Sequence, residues 1–118
     1  MMKRILKIKI DIYDSLITVI YTKDVLKYNN KIIKDNKLEL LEEDNNSNIF
    51  ASFLHDPNSI GYYWLILPQT PSINDIVHEA SHATIKILHD HGVNIDHENS
   101  EPFAYLNGYL VERIFNRK

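Results

Sequence analysis

The chain has 118 residues, 44% hydrophobic and 25% charged, which suits a single domain over residues 1–118 and is too apolar for a disordered chain. With no cysteine there is no disulfide framework or thiol nucleophile, so any metal ligands must come from His, Asp and Glu. Thirteen Lys and Arg against sixteen Asp and Glu give a net charge of -3, a balance that predicts no nucleic-acid partner.

Residues 4 to 10 alternate Lys with Ile and Leu, the period of a half-buried strand rather than the unbroken apolar core of a signal peptide. Ser15 to Thr22 reads as a second strand, with Asp11 to Asp14 as the turn of a hairpin. Asp24 to Asn30 suits a short helix. Lys31 to Asn48 is polar and mixed in sign, with a short edge strand at Lys37 to Leu41 and a solvated loop at Glu42 to Asn46. Ile49 to Leu54 and Ser59 to Leu67 are two further strands, separated by the turn formers His55-Asp56-Pro57-Asn58. The second is apolar on both faces, as a central strand would be. The longest nearly apolar run, Ile60 to Pro68, is far short of the ~20 residues of a spanning helix. No membrane partner and a cytoplasmic location are therefore expected.

After Pro68 and Pro71, Thr70 or Ser72 can cap a helix running from Ile73 to about Asp90, which Gly92 ends. A last helix spans about Asn99 to Phe115, with Leu106, Leu110 and Ile114 at spacings of four. Strands first and helices after predict an α+β fold: a small twisted, mainly antiparallel sheet packed on these two helices.

The first of these helices carries His78-Glu79-Ala80-Ser81-His82, an H-E-x-x-H pattern. Side chains four apart stack on one helix face, so both imidazoles converge on one point. Zinc held there would acidify a bound water to a pKa of about 7. Glu79, beside the ligands, is placed to take the water's proton as general base. Ile76, Val77, Ala80, Ala83, Thr84 and Ile87 gather on the core side, leaving His78, His82, Asp75 and His89 on the other. His89, eleven residues after His78 and so about 16 Å along the axis, is too far to share the ion.

Together with Glu98-Asn99-Ser100-Glu101-Pro102-Phe103-Ala104-Tyr105, this motif resembles the zincin-like metallopeptidases of the gluzincin group, and more closely small phage-type and mobile-element zincin-like proteins. The resemblance covers about residues 59 to 115. Ile85 and Leu88 stand where a metzincin would have Gly and His. The resemblance implies a third zinc ligand from the next helix: Glu101, which shares a face with Tyr105, Gly108 and Glu112, or alternatively Glu98. Tyr105 is the preferred transition-state stabiliser, with Tyr109 and His97 as alternatives, and Asp75, Asp90 or Asp96 could orient a ligand imidazole. It also implies an edge strand, Ile49 to Leu54 or Ser59 to Leu67, that pairs with an extended peptide. Tyr62, Tyr63 and Trp64 are candidates to line the groove.

The function expected is thus a minimal gluzincin-type zinc peptidase or amidase acting on a peptide or protein. The alternative is a metal-binding interaction or regulatory module without turnover.

Overall fold

The computed structural model describes residues 3–38, 51–57 and 60–117. Among the described residues four strands, β1 (Lys3–Ile10), β2 (Ser15–Thr22), β3 (Ser52–His55) and β4 (Tyr62–Pro68), form one sheet in the order β1-β2-β4-β3. Three helices among the same residues, α1 (Val25–Asn36), α2 (Ile73–Asp90) and α3 (Glu101–Asn116), give the fold its α+β character. The sheet is mixed: β1 with β2 and β3 with β4 are antiparallel, but β2 and β4 are parallel neighbours. That parallel pairing follows from the crossover through α1, which the short-helix expectation understated.

The hairpin forms as its turn chemistry requires. A single 3-10 turn at Asp11–Tyr13 leads to Asp14 in the left-handed region, φ 46°, and β2 begins at Ser15. Asp24 caps α1 by accepting from the Lys27 N–H, and Lys37 ends it at φ 54°. Lys37 is thus a helix terminus rather than the start of an edge strand; residues 39–41 and the Glu42 to Asn46 segment lie outside the described residues. Ser72 and Asp75 cap α2 reciprocally, each side chain bonding the other's backbone N–H, and Pro71 precedes the cap.

Alternation along the strands divides the molecule into two layers. Leu6, Ile8, Ile10, Ile17, Val19, Tyr21, Tyr63, Leu65 and Leu67 face α2 and α3, which contribute Ile76, Ala80, Ala83, Ile87, Leu106, Leu110 and Ile114 to the main core. On the other face Ile20 and Ile66 pack under Val25 and Tyr28 of α1. The Tyr21 hydroxyl, 2.7 Å from the Ile114 carbonyl, ties β2 to the end of α3, and burial pushes its pKa up to about 12 against the opposing pull of Arg117 and Arg4. Among the described residues no helix is long and apolar enough to cross a membrane.

Candidate metal centre

The α2 helix brings the two motif histidines together. His78 Nε2 and His82 Nε2 lie 3.2 Å apart, with rings inclined at 76°. Two nitrogen ligands of a tetrahedral zinc, each at the usual 2.0–2.1 Å, are separated by about 3.3 Å. The pair is therefore spaced for one shared ion, although the same distance equally suits a hydrogen bond from one imidazole to the other. His82 stacks on Phe53 of β3 with centroids 6.3 Å apart, which places the pair over the β3 edge of the sheet. Burial, and then the neighbouring His78, push the His82 pKa down, favouring the neutral form that can ligate.

Glu79 is 7% exposed, and its Oε2 lies 3.8 Å from His78 Nε2. Burial raises its pKa, opposed by His78 and reinforced by Asp75. A carboxylate with little solvation, beside an imidazole nitrogen, is a stronger proton acceptor than one in water.

Comparison with profiles of known protein families, with curated proteins and with solved structures gave no match.

The geometry of the site does not assemble the residues expected from the last helix. α3 docks on α2 through Thr84, whose Oγ1 is 3.1 Å from Asn107 Oδ1. Thr84 is two residues from His82, about 200° round the helix, so α3 occupies the flank of α2 turned away from His82. Glu101, the first residue of α3, is exposed, as are Tyr105, Gly108 and Glu112 on the same face. A Cβ built on Gly108 meets nothing within 4 Å, so this face looks into open space and not onto α2. Among the described residues no three His, Asp or Glu side chains form a group that could hold a metal ion, Glu101 and Glu98 included.

Tyr105, 75% exposed, lines a cleft against Ile10, Ile12 and Tyr13 at the end of β1. β1 and β3 are opposite edges of the described sheet, three strand spacings or about 14 Å apart. Tyr105 and Tyr109, which lines the same cleft, are thus beside the wrong edge to meet an oxyanion at the histidines.

The other expected partners have different tasks. Asp75 closes the capping box, and Asp96 accepts from the Glu98 N–H. Asp90 accepts from the Tyr63 hydroxyl at 2.7 Å and pairs with Lys86 at 2.9 Å. Tyr62 and Trp64 lie on the α1 face of the sheet and cannot line a groove beside α2, whereas Tyr63 is buried on the α2 face. Phe53 under His82 and Lys86 beside Asp90 were not singled out from the sequence. No local pattern links β3 to α2; only their packing does.

Asp90 has a measurable consequence. Burial alone would raise its carboxyl, but the bonds from Tyr63 and Lys86 outweigh it and hold the pKa below the ordinary 3.8. The sign follows: a group with a depressed native pKa contributes stability that is present above its unfolded value and lost as pH falls through the native one. Tyr63→Phe, which keeps the ring and removes the hydroxyl, should therefore shift acid unfolding to higher pH. Circular dichroism followed from pH 6 downwards checks this, and an unchanged acid midpoint would deny the Tyr63–Asp90 bond that role.

Proposed function

We propose that this domain is a zinc-dependent hydrolase of peptide or amide bonds, with His78 and His82 as its metal-binding pair and Glu79 as its general base. The observation that carries the reading is the 3.2 Å separation of the two Nε2 atoms, close to the ligand–ligand distance of a tetrahedral zinc site. When bound, the ion supplies Lewis acidity and a water whose pKa is near neutral.

The chain's own groups account for the rest. His78 and His82 ligate as neutral imidazoles through Nε2. Phe53, stacked on His82, restricts its ring to that orientation. Glu79 Oε2, adjacent to His78 Nε2, accepts the proton of the attacking water and returns it to the leaving nitrogen. β3, beside the pair and at the edge of the described sheet, would pair through its backbone with an extended peptide.

Glu101, exposed at the start of α3, is not brought to the pair in this structure, and its part as a ligand rests on the sequence resemblance alone. Binding by the histidines alone leaves the remaining coordination positions to solvent and substrate. The second reading, an ion held for regulation or for docking a partner without turnover, is favoured by one observation: among the described residues, two imidazoles converge here without a third ligating side chain. The buried carboxylate at Glu79 favours hydrolysis, because a purely structural ion has no use for it.

Zinc titration with a competing chromophoric chelator tests the pair. The parent should take up about one ion per chain, and His82→Ala should lower its affinity by at least tenfold while leaving the thermal transition of the metal-free domain nearly unchanged, since His82 lies outside the main core. Equal affinity in parent and variant would remove His82 from the site.

A further inference from the structure

The near-neutral total charge conceals a strong asymmetry. Residues 3–38 hold nine of the thirteen Lys and Arg but four of the sixteen Asp and Glu, a local charge of +5; the rest of the chain carries -8. The basic portion builds β1, β2 and α1, and hence much of the sheet face opposite the histidines.

Strand register places two cross-strand rows at one end of that face. Lys9, Leu16 and Tyr62 form one, and Lys7, Thr18, Trp64 and Leu54 the next. α1 covers the rows beyond, burying Ile20 and Ile66, with Ile32 and Leu54 packed at the margin of that cluster. Tyr62 remains 54% exposed, Lys7 and Lys9 are exposed, and Trp64 is half-buried. Beside Tyr62 lies a cleft of about 250 Å³, lined also by Lys9, Asp14, Leu16, Ile60 and Gly61. A side chain at Gly61, φ +109°, would be strained and would crowd the Asp14 carbonyl at 3.1 Å.

We propose that this open end of the sheet binds single-stranded nucleic acid, with bases stacking on Tyr62 and Trp64 and phosphates meeting Lys7 and Lys9. Stacking needs accessible aromatic faces and is indifferent to base identity, and the backbone needs cations alongside. Tyr62 and Trp64 are two residues apart on one strand, about 7 Å, so each can receive a separate base. β1 lies two strand spacings from β4, about 10 Å, within reach of lysine side chains for the adjoining phosphates. Among the described residues, the acids at this end of the sheet are Asp11, 3.7 Å from Lys9 in a largely solvated pair that a phosphate can displace, Asp14 at the cleft, and Asp56, which follows β3 beside the Tyr62 row. A duplex, with its bases already stacked inside, does not fit this mode. The proposal is independent of the metal reading, since it uses the other face of the sheet.

Trp64 is the chain's single tryptophan and reports directly on the surface. Titrating the full chain with a short oligodeoxythymidylate should quench its emission. Tyr62→Ala should weaken binding roughly tenfold, and Tyr62→Phe, which keeps the ring, should restore it. Lys7→Gln and Lys9→Gln should each reduce the slope of log affinity against log salt by about 0.7. No binding by the parent, equal binding of a duplex of the same length, equal binding of polyglutamate, or Tyr62→Ala binding as the parent does would each overturn the proposal. Preferential binding of phosphatidylserine vesicles would reassign the surface to a membrane, and would overturn it as well.

Discussion

A Glu79→Gln protein should retain zinc, lose about 10²- to 10⁴-fold in hydrolytic rate, and in its metal-free form be more stable than the parent at neutral pH. The three effects share one cause. Glu79 is a carboxylate almost removed from water, and burial raises its pKa above the ordinary 4.5 despite the opposing influence of His78. A raised native pKa contributes stability that is complete below the unfolded value and lost as pH rises through the native one. At neutral pH the ionised group therefore opposes folding, and the isosteric amide relieves that cost while being unable to accept a proton. The stability difference should close as pH falls below 4.5. Thermal melts in chelator across pH, zinc content, and cleavage of a dye-quenched peptide library measure the three together. A Gln variant as active as the parent would dismiss Glu79 as the base; a variant less stable at neutral pH would contradict the account of its burial.

The largest loss of stability is expected at the centre of the sheet. Leu65 lies on β4, paired in register with Val19 on one side and Phe53 on the other, and is fully buried in the main core. Leu65→Ala removes apolar surface and leaves a cavity that neighbouring backbone, fixed by two hydrogen-bonded strands, cannot close. Such changes cost about 2–5 kcal/mol, a large part of the roughly 5–15 kcal/mol that stabilises a domain. Urea unfolding should show a lower midpoint with an unchanged slope. Ile12→Ala, at a position 83% exposed, should shift the midpoint by less than about 0.5 kcal/mol. Similar losses at the two sites would contradict the assigned core.

Local chemistry made much of this fold legible. Period-two alternation marked β1, the turn residues Asp11 to Asp14 marked the hairpin, and Thr70 or Ser72 with Gly92 bracketed α2, Ser72 being the cap that forms. Leu106, Leu110 and Ile114 are all buried, as their spacing requires. What local pattern could not express was the crossover. Val25 to Asn36 places Val25 and Tyr28 against one sheet face, and nothing within it announces that β2 and β4 will lie side by side and parallel.

The site divides in the same way. His78, Glu79 and His82 belong to one helix, so their spacing alone brings them together. Glu101 and Tyr105 depend on where α3 docks, and Asn107 against Thr84 settles that on the far flank of α2. A shared helix face says which side chains travel together, but not which neighbour they meet. The even charge total was likewise blind to position, since it averaged a basic N-terminal portion with an acidic remainder.

The central claim is that the two imidazoles share one ion. X-ray absorption of the protein loaded with one equivalent of zinc tests it most directly. The account predicts two imidazole nitrogens in the inner shell at about 2.0–2.1 Å, falling to one in His82→Ala. A shell of oxygen alone, unchanged by that substitution, would contradict it.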